Sequence, residues 1–441
     1  MNISKVFNIL LEIIPTFLTN PTLHLCGLLI LFISLWNNVT ETRMNPFLED
    51  ITGHYATEKK VILAACEKTS GISISELARM LGTSIPRISR IVNEMVEDGY
   101  LADIGKHESA TGRRPSHYGL NPDAGYFVGM DVDEDSFSLA VTDFPGKLVL
   151  FKDNISYSLR NTEESVLGFC KTVEDTLDKF HIDKSKVRSY GVNLTGRVNH
   201  ETGYSYSYFI SEEKPVKALL EDGFGKTVSI ENDSRGMAYG EYMSGISGDA
   251  GTVLFLNVSR GLGMGMVVDG KLFVGKSGFA GEVGHFPLLD NNIICRCGKV
   301  GCLETGASGL ALMRIFKERI KAGQPSLLSD NFNAGADITI DSILEAVKKE
   351  DVTAIECIEE IGATLGRAVA GLINVFNPDM VIIGGRLSAA DKYLIPPLKS
   401  AVNKYSLNLV NRDTVIKVSI LGSKAGAIGA SLLSKSRLLN N

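Results

Sequence analysis

The sequence has no apolar stretch long enough to cross a membrane: the run from Leu25 to Trp36 is about twelve residues, against the ~20 a spanning helix needs. It lacks the charged start of a secretory signal, since Lys5 is the only lysine or arginine before that run, and no small-residue cleavage site follows. It has no surplus of positive charge. The net charge is −6, so the molecule as a whole does not attract nucleic acid through its bulk field, and any such binding must be local. There is no low-complexity tract and no short repeat, and 44 % hydrophobic with 22 % charged residues excludes a disordered chain. The seven cysteines are an odd number. Cys66, Cys170 and Cys357 stand singly in apolar surroundings and read as small core residues of a reducing compartment.

A chain of 441 residues exceeds one ordinary core and suggests two or three domains. Residues 1–43 do not belong with the rest, because Pro15 and Pro21 break up the apolar material ahead of Leu25. A start at Met44 behind a translated leader is expected ahead of a membrane anchor, because a cytosolic domain follows.

Residues 57–69 read as an amphipathic helix with Ile62, Ala65 and Cys66 on one stripe. Ser75 is expected to cap a second short helix that stops at Gly82. Ser84 is expected to cap a third, with Pro86 in its first turn and Gly99 past its end. This is helix-turn-helix spacing. On the third helix Ile88, Ile91, Val92 and Met95 form a buried stripe. Ser84, Arg87, Ser89, Arg90 and Asn93 then point outward as donors for phosphates and base edges. A hairpin wing is expected next, carrying Arg113 and Arg114. A bland helical pair packed on something else is the alternative. Between 84 and 116 the positive residues segregate to the third helix's start and the wing, and this favours DNA.

After Asn121-Pro122 the pattern changes to strands at 126–132, 136–142, 147–151, 189–194, 228–231, 252–258, 265–268 and 380–383. Helices are expected at 163–180, from Ser234, at 307–321, 341–349 and 353–376, and at 426–438. Mixed strands and helices over this length imply an α/β body in two lobes.

Between His285 and Cys302, eighteen residues hold one histidine and three cysteines, Cys295, Cys297 and Cys302. Three thiolates and an imidazole fill a tetrahedral Zn2+ shell with no open position, the pattern of a structural zinc. Gly298 and Gly301 supply permissive backbone at the turns. A cluster of reduced thiols is the plainer alternative.

The segment EVGH at 282–285 followed by CRCGKVGCLE resembles the signature of the ROK family of repressors, open reading frames and sugar kinases. The stretch SISELARMLGTSIPRISRIVNEMVEDGYL and the later GRRPSHYGLNPDAGYFVGMDV resemble its transcriptional-regulator branch, the xylose and N-acetylglucosamine repressor type. The resemblance covers residues 57–438. It implies a winged DNA-binding domain at 44–120. Behind it the resemblance implies a two-lobed, actin-like sugar-kinase fold at 121–441, with lobes near 121–245 plus 425–441 and 246–424. A homodimer or higher oligomer that binds operator DNA and a sugar effector in the cytoplasm is implied with it.

Carried over residue by residue, the sugar pocket falls on Gly196, Arg197, Asn232, Asp233, Glu282, His285 and Glu304. Carboxylates and an asparagine can grip pyranose hydroxyls in pairs. His285 would give one ring nitrogen to zinc and offer the other to a hydroxyl. After Thr202-Gly203 the family carries Asn-Leu and a nearby Trp, whereas this chain has YSYSYF at 204–209, a departure bearing on sugar identity.

Asp233 stands where family kinases hold the general base, so an ATP-dependent hexose or N-acetylhexosamine kinase using Mg2+ is the alternative function. Against it, the kinases' Gly-Gly-Thr run is replaced after Asp131 by Asp133, Glu134 and Asp135. Each unit charge beside a phosphate costs on the order of 1–4 kcal/mol at 4 Å. The remaining nucleotide-loop glycines, Gly261, Gly263, Gly265, Gly384 and Gly385, are vestigial on this reading, with Arg386 in place of a small residue. The pattern GKLFVGKS at 270–277 matches a phosphate-binding loop by letter only. A strand-like run fills the supposed loop, and glycines follow where a helix should open.

Overall fold

The computed structural model describes residues 55–69, 71–106, 116–207 and 214–440. The chain divides into two compact units, Met1–Lys59 and Lys60–Asn441. Only residues 55–59 of the first are described, so the 1–43 leader, and Arg113 and Arg114 of the wing, lie outside the described residues. Among those described, no helix is long and apolar enough to cross a membrane.

Helix α1 (Ala56–Lys68) leads into a two-residue strand β1 (Ile72–Ser73) and helices α2 (Ile74–Met80) and α3 (Ile85–Glu97). The cap of α2 is Ser73 and not Ser75. Its hydroxyl accepts from the Glu76 N–H while Glu76 Oε2 accepts from the Ser73 N–H, a reciprocal capping box two residues earlier than expected. Ser84 is the N-cap residue of α3 by backbone, without a side-chain cap bond, and Pro86 occupies the first turn, where no N–H is required. Ile88, Ile91, Val92 and Met95 are each fully buried, as their spacing predicts. Strands β2 (Leu101–Lys106) and β3 (Ser116–Leu120) form the wing hairpin, with β1 added to β3.

The body holds two five-stranded sheets of the same plan. The first contains β4 (Tyr126–Val132), β5 (Ser136–Asp143), β6 (Leu148–Ser156), β7 (Val187–Leu194) and β10 (Val228–Asn232), with β8 (Val198–Asn199) and β9 (Tyr204–Ser205) as a separate small hairpin between the last two. The second contains β11 (Thr252–Val258), β12 (Leu262–Val268), β13 (Lys271–Leu272), β14 (Met380–Gly384) and β15 (Val415–Val418). In each, the first three strands are antiparallel neighbours and the last two run parallel to the first. Helices α4 (Glu163–Lys179) and α5 (Val216–Phe224) bury apolar residues in the first lobe's core. Helices α7 (Gly309–Lys321), α8 (Ile340–Lys348), α9 (Val352–Phe376) and α10 (Asp391–Tyr405) do so for the second.

Between the sheets lie α6 (Asp233–Met243) and α11 (Ala425–Asn440), and several of the tightest approaches in this stack fall on glycines. A Cβ on Gly129 or Gly191 of the first sheet would sit 2.0 Å from a carbonyl of α11, and one on Gly429 would sit 1.9 Å from the Gly236 carbonyl of α6. On Gly263 and Gly265 of β12 it would sit 2.1 Å from Ser234 Oγ and 2.4 Å from Ala238 Cβ. Gly263 and Gly265 therefore lie within a strand and admit α6; they do not belong to a loop. Strand-on-helix approach at this range leaves no room for a side chain.

Candidate functional site: the cleft at the strand ends

The carboxyl ends of the parallel strands are where open α/β sheets place ligands. At the end of β7 stand Thr195, Gly196 and Arg197, and at the end of β10 stand Asn232 and Asp233. Asn232 Oδ1 caps α6 by accepting from the Arg235 N–H, while its amide donates to the Gly196 carbonyl (2.9 Å) and to Asp233 Oδ1 (2.8 Å). Thr195 Oγ1 donates to Asp233 Oδ2 at 2.7 Å, and the Ser234 N–H donates to Oδ1 at 2.6 Å. Gly196 is needed for itself: its φ is +84°, and a Cβ there would meet Ser207 at 2.5 Å. Ser207 Oγ in turn accepts from the Arg197 backbone N–H and Nε at 3.1 and 3.3 Å. Burial pushes the Asp233 carboxyl above its ordinary range, although Thr195 and Ser234 pull the other way. Glu282 is also raised by burial, against the pull of His285, Arg235 and Arg197.

Two residues behind Asp233 the situation inverts. Glu231 is 1 % exposed, and burial alone would neutralise it. The guanidiniums of Arg235 (Nε to Oε1 2.7 Å) and Arg437 (Nη2 to Oε2 2.5 Å) outweigh burial and hold its carboxyl below the usual range. Arg235, itself fully buried, also donates to the Val198 and Ala280 carbonyls. It ties β10, the β8–β9 hairpin and the segment before Glu282 together. The sequence reasoning missed Glu231, Arg235 and Arg437. A charged residue in the first turn of α6, four positions from another charge in a core strand, was the available signal.

The four sulfur and nitrogen ligand atoms of His285, Cys295, Cys297 and Cys302 lie within 4.8 Å of one another. Cys297 Sγ to Cys302 Sγ and Cys295 Sγ to His285 Nδ1 are both 3.6 Å. The edge of a tetrahedron with ~2.3 Å metal–sulfur bonds is about 3.7 Å, so the set fits a metal of zinc's size. Gly298, with φ +81°, forms the turn that returns the chain from Cys295 to Lys299. His285 Nδ1 faces the cysteines and Nε2 faces Glu282 Oε2 at 3.7 Å. Glu304 borders the same set, 2.8 Å from Cys295 Sγ and 3.8 Å from His285 Nδ1. The predicted pocket residues thus form two joined groups, one on β7 and β10 and one braced by the cysteine turns.

Asp131 of β4 is pushed far up by burial and by the nearby Asp233 and Asp133 carboxylates, and its Oδ1 has no partner in the protein. Of the acids after it, Asp133 and Glu134 are solvated and paired. Glu134 meets Arg260 Nη1 at 2.7 Å and Arg296 Nη2 at 4.0 Å, and Asp133 meets Arg386 Nη2 at 3.4 Å. Asp135 is exposed in the same turn. Gly261 closes the tight β11–β12 turn, and Gly384 and Gly385 end β14. A Cβ on Gly385 (φ +81°) would meet Asn257 Oδ1 at 2.5 Å. The segment 270–277 contains β13 and no helix, so it is not a phosphate-binding loop.

On α3, Ser84, Arg87, Arg90 and Asn93 are exposed and Ser89 is half-buried. Arg87 and Arg90 lie toward the N-terminal half of that face, and Glu94 and Glu97 toward its C-terminal half.

A family model described as "ROK family" matches residues 127–437, and one described as "Winged helix-turn-helix DNA-binding" matches 59–102. The chain is 28 % identical over 388 residues to a xylose repressor of Caldicellulosiruptor bescii, spanning 87 % of this chain and 96 % of that one. It is 30 % identical over 317 residues to a glucokinase of Halalkalibacterium halodurans, spanning 70 % and 95 %. Among solved structures, a ROK family transcriptional regulator described as a homologue of the E. coli MLC protein superposes with a TM-score of 0.71 at 26 % identity, over 84 % of this chain and 92 % of that one.

Proposed function

The chain belongs to the ROK family, and from that premise we propose that it is a sugar-responsive, DNA-binding transcriptional regulator, a repressor of carbohydrate metabolism acting in the cytoplasm. One observation carries the reading. A winged helix-turn-helix with an arginine-bearing face open to solvent precedes a body whose strand ends gather paired carboxylates and amides. On this reading residues 44–120 form the DNA-binding domain and 121–441 the effector body, with lobes 121–245 plus 425–441 and 246–424. Arg87, Arg90 and Asn93, with Ser84 and Ser89, contact the major groove, and Arg113 and Arg114 contact the backbone through the wing.

Gly196, Arg197, Asn232, Asp233, Glu282, His285 and Glu304 bind the sugar. Asn232 and Asp233 are held by Thr195 and the α6 N-terminus, so they reach hydroxyls without reordering. His285, Cys295, Cys297 and Cys302 would hold a structural Zn2+, which supplies a rigid cross-link keeping Glu282 and Glu304 in place. One equivalent of zinc per chain by atomic emission is expected, and Cys302→Ser is expected to lose it. Full stoichiometry in that variant would remove zinc from this reading.

Sugar binding favours a closed cleft by its differential affinity for that state. In a homodimer, closure changes the setting of two recognition helices against half-sites about 34–36 Å apart. A coupling of roughly 1–3 kcal/mol gives a 5–150-fold change in operator occupancy. The test is a salt-titrated shift of DNA selected from a random pool, with and without xylose, glucose and N-acetylglucosamine. Absence of sequence-specific binding even at low salt would end the regulator reading.

A second reading, an ATP-dependent hexose or N-acetylhexosamine kinase, is favoured by Asp233, whose raised carboxyl suits a general base. ADP production abolished by Asp233→Asn would support it. The nucleotide side is its weak point, because Asp133 and Glu134 already engage the arginines there.

A further inference from the structure

The β4–β5 turn belongs to the first sheet, whereas Arg260 lies in the β11–β12 turn and Arg386 follows β14, both in the second. The Glu134–Arg260 and Asp133–Arg386 pairs therefore run from the rim of one lobe to the rim of the other. Each partner is set by local bonds. Asp133 N–H donates to the Ser136 carbonyl, and Asp133 Oδ1 accepts from the Glu134 N–H at 2.9 Å, leaving Oδ2 for Arg386. Arg386 N–H donates to Ser259 Oγ, and its guanidinium reaches Asp341 of α8 at 3.6 Å. The Arg260 carbonyl accepts from the Leu310 N–H at 3.0 Å, which fixes that turn on α7. The side chains are 40–55 % exposed, so the pairs are solvated, individually weak and screened by salt.

Both ends of these contacts sit on the cleft residues. Through β4, the acidic turn continues from Asp131, which feels the Asp233 charge. The Arg260 turn lies over Glu304, whose Oε2 would be 3.3 Å from a Cβ on Gly261.

We propose that Asp133 and Glu134, with Arg260 and Arg386, form a reversible ionic clasp between the lobes, which holds the cleft closed without a nucleotide and makes closure depend on ionic strength. The arginines that would otherwise offer charge to an anionic ligand are satisfied by the chain's own carboxylates. The clasp rests on the reading of the cleft as an effector site only for its consequence, a tighter grip on the sugar.

The experiment is single-molecule energy transfer on the full chain, free of sugar. Dyes are attached through non-natural keto side chains at exposed Leu167 and Val352, one per lobe, which spares the cysteines. The Asp133→Asn/Glu134→Gln variant is expected to lower the closed-to-open ratio by roughly three- to tenfold. Raising salt to about 0.5 M is expected to move the parent the same way and leave the variant unmoved. The reversed set, Asp133→Arg/Glu134→Arg with Arg260→Glu/Arg386→Glu, is expected to restore closure. An unchanged ratio in the neutral variant, an equal salt response in both proteins, or failure of the reversed set to restore closure overturns the clasp. The operator shift is read on the same preparations. Loss of DNA binding with an intact clasp response would sink the regulator and not the clasp.

Discussion

At the inner end of the cleft, Asp233 is half-buried and Glu282 lies partly exposed on the wall, no arginine among the described residues pairs with either, and desolvation pushes both upward in pKa. At the outer end, Asp133 and Glu134 stand in solvent with arginines facing them across the lobes. Glu231 completes the series: more deeply buried than Asp233 but gripped by two guanidiniums, it stays charged. One side-chain chemistry thus does three jobs, decided by dielectric and by the nearest cation. Partial burial without a cation in contact suits a carboxylate to the proposed sugar site, full burial between two guanidiniums makes a joint, and exposure beside an arginine makes a contact that salt can undo.

The largest effect is expected at the joint. Arg235→Met takes from Glu231 the fully buried one of its two cations and should cost roughly 3–5 kcal/mol in urea unfolding. The double variant with Glu231→Met should recover much of that loss, because the stranded charge is gone. A single-variant cost below about 1 kcal/mol would erase the distinction between Glu231 and the exposed acids.

Next comes Asp233, the carboxylate proposed to bind the sugar. Asp233→Asn is expected to weaken effector sugar binding by roughly 10–100-fold, the scale of a lost hydrogen bond to a charged group. Its stability should move the other way. The folded carboxyl holds its proton to higher pH than the unfolded one, so the parent loses stability as pH rises through that interval. The variant escapes this loss. It should melt higher than the parent at neutral pH and alike below the ordinary carboxylate range. A lower melting point at pH 7 would show that Asp233 is a joint after all.

The smallest effect belongs to the rim. Glu134→Gln should change unfolding stability by less than about 1 kcal/mol at low salt and by nothing measurable near 0.5 M. A salt-independent loss would place Glu134 with Glu231.

Local pattern carried much of the fold. The stripe Ile88, Ile91, Val92 and Met95 and the strands Tyr126–Val132 and Thr252–Val258 follow from hydrophobic period alone. Helix α10 is absent from the sequence expectations, and Pro396 and Pro397 stand inside it. It forms by packing on α9, where Gly362 and Gly366 let the Leu394 and Leu398 carbonyls approach to 2.4 Å of a Cβ position. Helix α5 was missed as well, being one short apolar run between loops. Strand β12 begins three residues before the expected Gly265, and Gly263 and Gly265 supply the space that α6 occupies.

By itself the sequence determined the grouping of one histidine and three cysteines, the helix-turn-helix and the alternation of strands and helices, since each depends on residues near one another along the chain. Tertiary structure alone decided that two sheets repeat one plan, that Arg235 and Arg437 converge on Glu231, and that the acids after Asp131 meet Arg260 and Arg386 from the other lobe. Those partners stand up to 253 residues apart, and no local period records which charge will face which.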